Sequence, residues 1–248
     1  TVRLPKNTRD IESGVISADG SMVALCGRDS SVSIYDARTG TLKQRLVGAT
    51  PTQFFRAAFS PSGNQVVATA ANGTAIVWNV AEGLVQSVIA KRQYVNDNSY
   101  ITFLPDGSRV VLETGKDQTS IVDVATGENV VTMARSPGVG GVMTVVPSRD
   151  ASKIALSSLG RVTVHETSTG VMIYEMRQVD YHPSFSSDGS RLALRTSESE
   201  AGVYLISPAI LQSDTSDARW TIYQTMAKLR NVRFGQRPVG ESVDSIVR

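Results

Sequence analysis

The chain has 248 residues, of which 41% are hydrophobic and 19% charged, a globular balance that excludes wholesale disorder. Its 25 Lys and Arg against 23 Asp and Glu leave a net charge of +2, so overall charge points to neither nucleic acid nor a membrane surface. One cysteine, Cys26, and two histidines, His165 and His182, exclude an intramolecular disulfide framework and leave little for a Cys- or His-based metal site or a catalytic triad, and no apolar run approaches the roughly 20 residues of a membrane-spanning helix.

In chain order the predicted elements are short strands. Thr1-Val2-Arg3-Leu4 reads as one strand; residue 1 is not Met, so a preceding segment, with any targeting peptide, is expected to be missing. A strand around residues 12–16 runs into the marker Ile16-Ser17-Ala18-Asp19-Gly20. The marker returns as Phe59-Ser60-Pro61-Ser62-Gly63, Phe103-Leu104-Pro105-Asp106-Gly107, the worn Val145-Val146-Pro147-Ser148, and Phe185-Ser186-Ser187-Asp188-Gly189. A second marker keeps phase with it: Ser33-Ile34-Tyr35-Asp36, Ile76-Val77-Trp78-Asn79, Ile121-Val122-Asp123 and Thr163-Val164-His165-Glu166, each followed by a turn that closes on glycine. Those glycines stand at 40, 83, 127 and 170, in steps of 43, 44 and 43. Two markers sharing one period identify an internal repeat.

Each unit holds four strands. Strand a ends at the first marker, and strand b follows it, as in Gln65-Val66-Val67-Ala68-Thr69-Ala70. Strand c carries the second marker. Strand d follows the glycine, as in Leu42-Lys43-Gln44-Arg45-Leu46. The Asp-Gly and Ser-Gly pairs suit tight turns because glycine accepts positive φ without strain. Four-stranded units of ~40–45 residues predict an all-β β-propeller of four-stranded blades. The expected units are residues 11–46, 47–89, 90–133, 134–176 and 177–226, with 1–10 as an outer strand of a preceding or closing blade and 227–248 as a partial sixth blade. Within the fifth unit, residues 207–219 read as a polar excursion and 220–226 as strand d, since Thr221-Ile222-Tyr223-Gln224-Thr225-Met226 echoes Val171-Met172-Ile173-Tyr174-Glu175-Met176. Five blades with partial strands at both ends predict a piece of a seven-bladed propeller of roughly 300 residues. The missing strands would come from the same or another chain. The alternative is a short ring closed by residues 1–4.

Residues 59–83 resemble a WD repeat: a Ser-Pro-x-Gly turn, a strand, Asn72-Gly73 at the b–c turn, then Ile-Val-Trp-Asn. Leu46-Val47-Gly48-Ala49 stands where that family usually has Leu-x-Gly-His. The Gly-His pair is absent throughout, and strand c ends in Tyr-Asp, Trp-Asn, Val-Asp or His-Glu. The buried Asp–His–Ser/Thr–Trp hydrogen-bond network that the resemblance implies is therefore lost, and apolar packing is expected to replace it.

No nucleophile elbow, phosphate loop or zinc-binding helix pair is present, so no catalytic residue, cofactor or metal is expected. Gly138-Val139-Gly140-Gly141 reads as a flexible d–a loop, His165 as a packing residue on strand c, His182 as a surface histidine, and Cys26 as a buried thiol. Asn72 matches a glycosylation acceptor, but its turn position explains it. The resemblance implies that partners meet the face formed by the d–a loops and b–c turns. The protein-binding candidates there are Arg28 and Lys116 before the turn aspartates, and Phe54, Phe55, Arg92, Tyr94, Asp97, Tyr100, Tyr181 and His182 in d–a loops.

The expected function is a non-catalytic protein-interaction scaffold in a larger multi-protein assembly. Proteins or peptides would dock on the loop face or on an open edge strand, without membrane insertion, in the cytoplasm or the nucleus. One alternative is a cofactor-binding or hydrolytic propeller enzyme. Another is a ribonucleoprotein subunit that uses residues 218–248, where six basic residues face two acidic ones.

Overall fold

The structure is a computed structural model describing residues 11–91, 100–115, 118–134, 141–177, 182–195 and 201–206. These residues form strands and no helix. The first sheet holds β1 (Ile11–Ile16), β2 (Met22–Gly27), β3 (Ser31–Asp36) and β4 (Leu42–Val47). The second holds β5 (Phe54–Phe59), β6 (Gln65–Ala70), β7 (Thr74–Asn79) and β8 (Val85–Lys91). The third holds β9 (Ile101–Phe103), β10 (Arg109–Gly115), β11 (Gln118–Asp123) and β12 (Asn129–Ala134). The fourth holds β13 (Thr144–Pro147), β14 (Lys153–Ser158), β15 (Arg161–Glu166) and β16 (Met172–Arg177). The fifth has three described strands, β17 (Ser184–Phe185), β18 (Arg191–Arg195) and β19 (Ala201–Leu205). Every sheet is an antiparallel meander in sequence order, one sheet to each repeat. This is the blade-based, all-β architecture that the period predicts. The strands expected in residues 1–4, 220–226 and 227–248 lie outside the described residues.

The register explains why the second and third strands are almost continuously apolar. In a strand, alternate side chains face opposite sides, and here both sides are occupied. Val66, Ala68 and Ala70 of β6 join Ile76 and Trp78 of β7 in a core shared with Ala24, Cys26, Val32, Ile34 and Leu46 of the first sheet. Val67, Ala75 and Val77 point the other way, into a core shared with Ile101, Phe103, Val110, Leu112 and Val122 of the third sheet. The third and fourth sheets share a further core, and the fourth and fifth another. The second, third and fourth sheets are thus sandwiched by their sequence neighbours, and half-buried alternation would have left one face wet.

Polar contacts fix how neighbouring sheets are seated. The Trp78 indole Nε1 donates to the Val47 carbonyl at the end of β4, at 2.9 Å. Its ring meets Phe54 edge to face, with centroids 5.4 Å apart. The Trp78 bond thus sits within an apolar cluster that joins the first two sheets. Ser87 Oγ on β8 likewise donates to the Val124 carbonyl of the third sheet, at 2.7 Å. In the second, third and fourth sheets the turn before the fourth strand rests on the fourth strand of the preceding sheet. At Gly170, with φ +74°, an added Cβ would lie 2.6 Å from Val131 Cγ1 and 3.1 Å from the Thr132 carbonyl. That close approach, together with the left-handed backbone, requires glycine.

The turns repeat a hydrogen-bond design. Between the first two strands of the first sheet, Ser17 Oγ donates to Asp19 Oδ1 at 2.6 Å and accepts from Met22 N at 2.9 Å. Ser148 with Asp150 and Ser186 with Asp188 repeat both contacts, with Lys153 N and Arg191 N as the donors to serine. In the second sheet the roles are traded: Ser60 bonds to Ser62 and Asn64. The donors hold Asp19, Asp150 and Asp188 at about 2, chiefly through the Ser17, Ser148 and Ser186 hydroxyls. At the next turn on the same end, Asp36, Asn79 and Asp123 each accept two backbone N–H groups. Glu166 of the fourth sheet instead accepts from the Thr169 hydroxyl at 2.7 Å.

Candidate interaction surface

The antiparallel topology sends the b–c turns and the d–a loops to one end of the sheets. The serine–aspartate turns lie at the other end. The loop end is where sequence reasoning placed the partner-binding residues, and the structure sorts them.

Arg28 lies there, exposed. Its Nε donates to Glu12 Oε1 at 2.6 Å, and Gln53 Nε2 donates to the same oxygen at 3.1 Å. Glu12 therefore ties the b–c turn of the first sheet to the loop that enters the second. Arg45 of β4 pairs with Asp29 on the same turn, at 2.8 Å. The outcome is a fixed array of alternating charges on the rim of the first sheet. Exposed pairs of this kind contribute little stability.

Phe54 and Phe55 are corrections. Both belong to β5 rather than to the loop before it, and both are buried. The aromatic pair completes the strand, and Phe54 fills the core beside Trp78. Neither ring is offered to a partner. Tyr100 immediately precedes β9, as expected, but it is half-buried and packs against the core between the third and fourth sheets. Burial pushes its phenol above the ordinary range. His182 is exposed, with a left-handed φ of 77°. Arg92, Tyr94, Asp97, Lys116 and Tyr181 lie outside the described residues, as does the basic segment 218–248. Of the named candidates, Arg28 and His182 are therefore the exposed ones among the described residues.

Two residues read as structural prove so. Cys26 is fully buried, and desolvation pushes its thiol up to about 12, which removes the thiolate needed for nucleophilic or metal chemistry. His165 is buried in the fourth sheet, with both ring nitrogens engaged. Nδ1 lies 3.0 Å from the Gly170 carbonyl, and Nε2 lies 3.0 Å from Thr163 Oγ1. A carbonyl can only accept, so Nδ1 carries the proton and Nε2 accepts from the threonine hydroxyl. Burial holds the imidazole below its ordinary value, partly offset by the Gly170 bond. Among the described residues no three His, Cys, Asp or Glu side chains come together as a metal site.

Sequence reasoning passed over the fourth sheet's loop end, where Leu159 and Met143 are exposed. Nearby, Arg161 and Arg177 share the Glu175 carboxylate, at 3.1 and 3.0 Å. The available signal was Leu159-Gly160, a turn with leucine where the corresponding turns carry Asp29 and Asn72.

Comparison with protein-family models matches residues 41–79 to the WD domain, G-beta repeat (WD40). The matched stretch begins beside β4, the last strand of the first sheet, and ends with β7, the third strand of the second. One sequence repeat thus spans two sheets, across the contact that Trp78 makes with Val47.

Proposed function

We propose that this chain, which carries a WD40 repeat, is a non-catalytic scaffold that binds other proteins at the loop end of its sheets and serves as one subunit of a larger assembly. The observation that carries the reading is the WD40 match, because domains of that kind generally mediate protein–protein interactions. The architecture supports it. The second, third and fourth sheets, packed on both faces, form a frame, and the loop end carries paired, exposed charges such as Arg28 and Glu12. Recognition by a scaffold needs fixed complementary groups rather than reactive ones, and among the described residues Cys26 and His165 are both buried.

The test is affinity purification of the intact protein from its native source, with chemical cross-linking and mass determination. The expected result is a stoichiometric protein partner that cross-links to the loop end and is weakened by Arg28→Glu. Partner-free protein that turns over a small-molecule substrate would overturn the reading.

A second surface has an observation of its own. The outer face of the fifth sheet exposes Val203 and Leu205. Covering it with further strands, from this chain or another, fits a role as part of a larger propeller. Light scattering reads that directly, since a partner-supplied cover predicts a mass above one chain.

A further inference from the structure

Where the first strands of the first three sheets meet, one charge stands without a counter-ion. β5 lies against β1 and against β9. A bulge at Phe55 shifts the register of β5, so that Phe54 pairs with Ala70 and Arg56 with Thr69. β1 carries the same bulge at Glu12, with Ile11 opposite Gly27 and Ser13 opposite Cys26. Bulges of this kind re-aim the side chains beside them. Tyr100 directly precedes Ile101, which pairs with Leu112, so Tyr100 comes level with Glu113. Cys26, Thr69 and Glu113 hold the same place in β2, β6 and β10, four residues after Met22, Gln65 and Arg109. Ser13, Arg56 and Tyr100 therefore stand at one level of three successive sheets, at the loop end.

Arg56 is exposed, and among the described residues it has no hydrogen-bond or ion-pair partner. Arg28, Arg45, Arg161 and Arg177, also at the loop end, are each paired with a carboxylate. The groups that feel the Arg56 charge do not balance it. Burial raises both the Cys26 thiol and the Tyr100 phenol, against smaller opposing pulls that include Arg56, so both stay neutral and the phenol keeps its proton to donate. The Glu12 carboxylate is taken by Arg28 and Gln53, and Glu113 is buried and already engaged. Thr69 lies directly opposite Arg56, and residues so paired share a face of the sheet. It is fully buried, and its Oγ1 has no partner among the described residues. A guanidinium presents a planar fork of donors that a carboxylate meets through two parallel hydrogen bonds. One positive charge balances one carboxylate, whereas a phosphate ester, at about −1.5 to −2, exceeds it.

We propose that Arg56 receives a single carboxylate of a partner protein at the loop end of the second sheet, with the Tyr100 and Thr69 hydroxyls as accompanying donors. An Asp or Glu side chain and a C-terminal carboxylate offer the same chemistry, and the experiment separates them. This rests on the scaffold reading above and names the group by which one partner is held.

The experiment probes the intact protein with arrayed random hexapeptides of four kinds: one internal Asp or Glu with an amidated C-terminus, no acidic side chain but a free C-terminal carboxylate, neither, and one phosphoserine with an amidated C-terminus. The strongest binders are then measured in solution against variants that thermal melts show to be folded. They are expected among the first or the second kind, which tells a side-chain carboxylate from a C-terminal one. R56Q should bind them about tenfold or more weakly. R56K should bind them several-fold more weakly, because an ammonium keeps the charge and loses the fork; it carries the test if R56Q fails to fold. Y100F and T69V should each bind more weakly by a few-fold, although T69V should melt at or above the parent's temperature, since it removes an unpartnered buried hydroxyl. R38Q, at an exposed arginine at the opposite end of the first sheet, should bind unchanged. Acidic peptides that bind R56Q as tightly as the parent would overturn the site and leave the scaffold reading intact. Strongest binding by the uncharged or the phosphoserine peptides would overturn the carboxylate assignment. Failure of all four kinds to bind would overturn the site, and the scaffold reading falls with it only if the partner purification above is also empty.

Discussion

The second and fifth sheets share a strand plan and differ in their surroundings. Val77 of β7 and Val203 of β19 hold equivalent register positions, opposite Val67 and Ala193. Val77 is fully buried and Val203 is 40% exposed. The difference lies in the neighbours rather than in the residue. The second sheet has a sheet on each side, whereas the described residues cover the fifth on one side, through Leu192, Leu194, Tyr204 and Ile206. Burial in a stacked-sheet protein is therefore a property of the pair of sheets. In such repeats nearest-neighbour interfaces carry much of the stability.

That comparison can be broken in order of effect. The largest loss should come at the joint between the first two sheets. Trp78→Ala or Phe54→Ala removes a fully buried aromatic and is expected to cost about 3–5 kcal/mol, measured by urea denaturation. Next, Val77→Asp should lower the melting temperature clearly, because it buries an unpaired carboxylate, while Val203→Asp should fold with a melting temperature near the parent's. Equal damage from the two substitutions would show that the outer face of the fifth sheet is covered in solution.

A third test concerns the fourth sheet. His165 is held below its ordinary value of 6.5 by burial, so the unfolded chain takes up a proton before the folded one does. Stability must then fall as pH drops through 6.5 towards the lower folded value, and it rises again with pH. His165→Gln should flatten that slope between pH 7 and 5 at some cost at neutral pH, read from denaturation midpoints. The carboxylates of the turns act lower. Asp19, Asp150 and Asp188 sit at about 2, below 3.8, so their contribution is present above 3.8 and is lost as pH falls towards 2.

The smallest effect separates the fourth sheet from its siblings at a single turn. Gly20, Gly63, Gly107 and Gly189 take positive φ there, and Ala151 takes φ 57° in the same role. A non-glycine residue in the left-handed region costs roughly 1–2 kcal/mol, partly offset by the extra freedom that glycine gives the unfolded chain. Ala151→Gly should therefore stabilise the protein by about 0.5–1 kcal/mol, seen as a small rise in melting temperature.

The sequence alone determined the repeat, the strand order within each unit and the turn chemistry. These are local: the period of the glycines, the alternating runs and the Ser-x-Asp-Gly turns act through neighbours a few residues apart, and their physics is complete within one unit. Tertiary structure alone decided which apolar residues were core and which were surface. Phe54 and Phe55 looked like loop anchors because they precede a strand marker, yet both lie in β5 and are buried, and the neighbouring sheet draws Phe54 into the shared core. Burial depends on what packs across a sheet from tens of residues away, as with Trp78 against Val47 and Phe54 or Ser87 against Val124, and a period shows that such a neighbour exists without showing which side chains it covers.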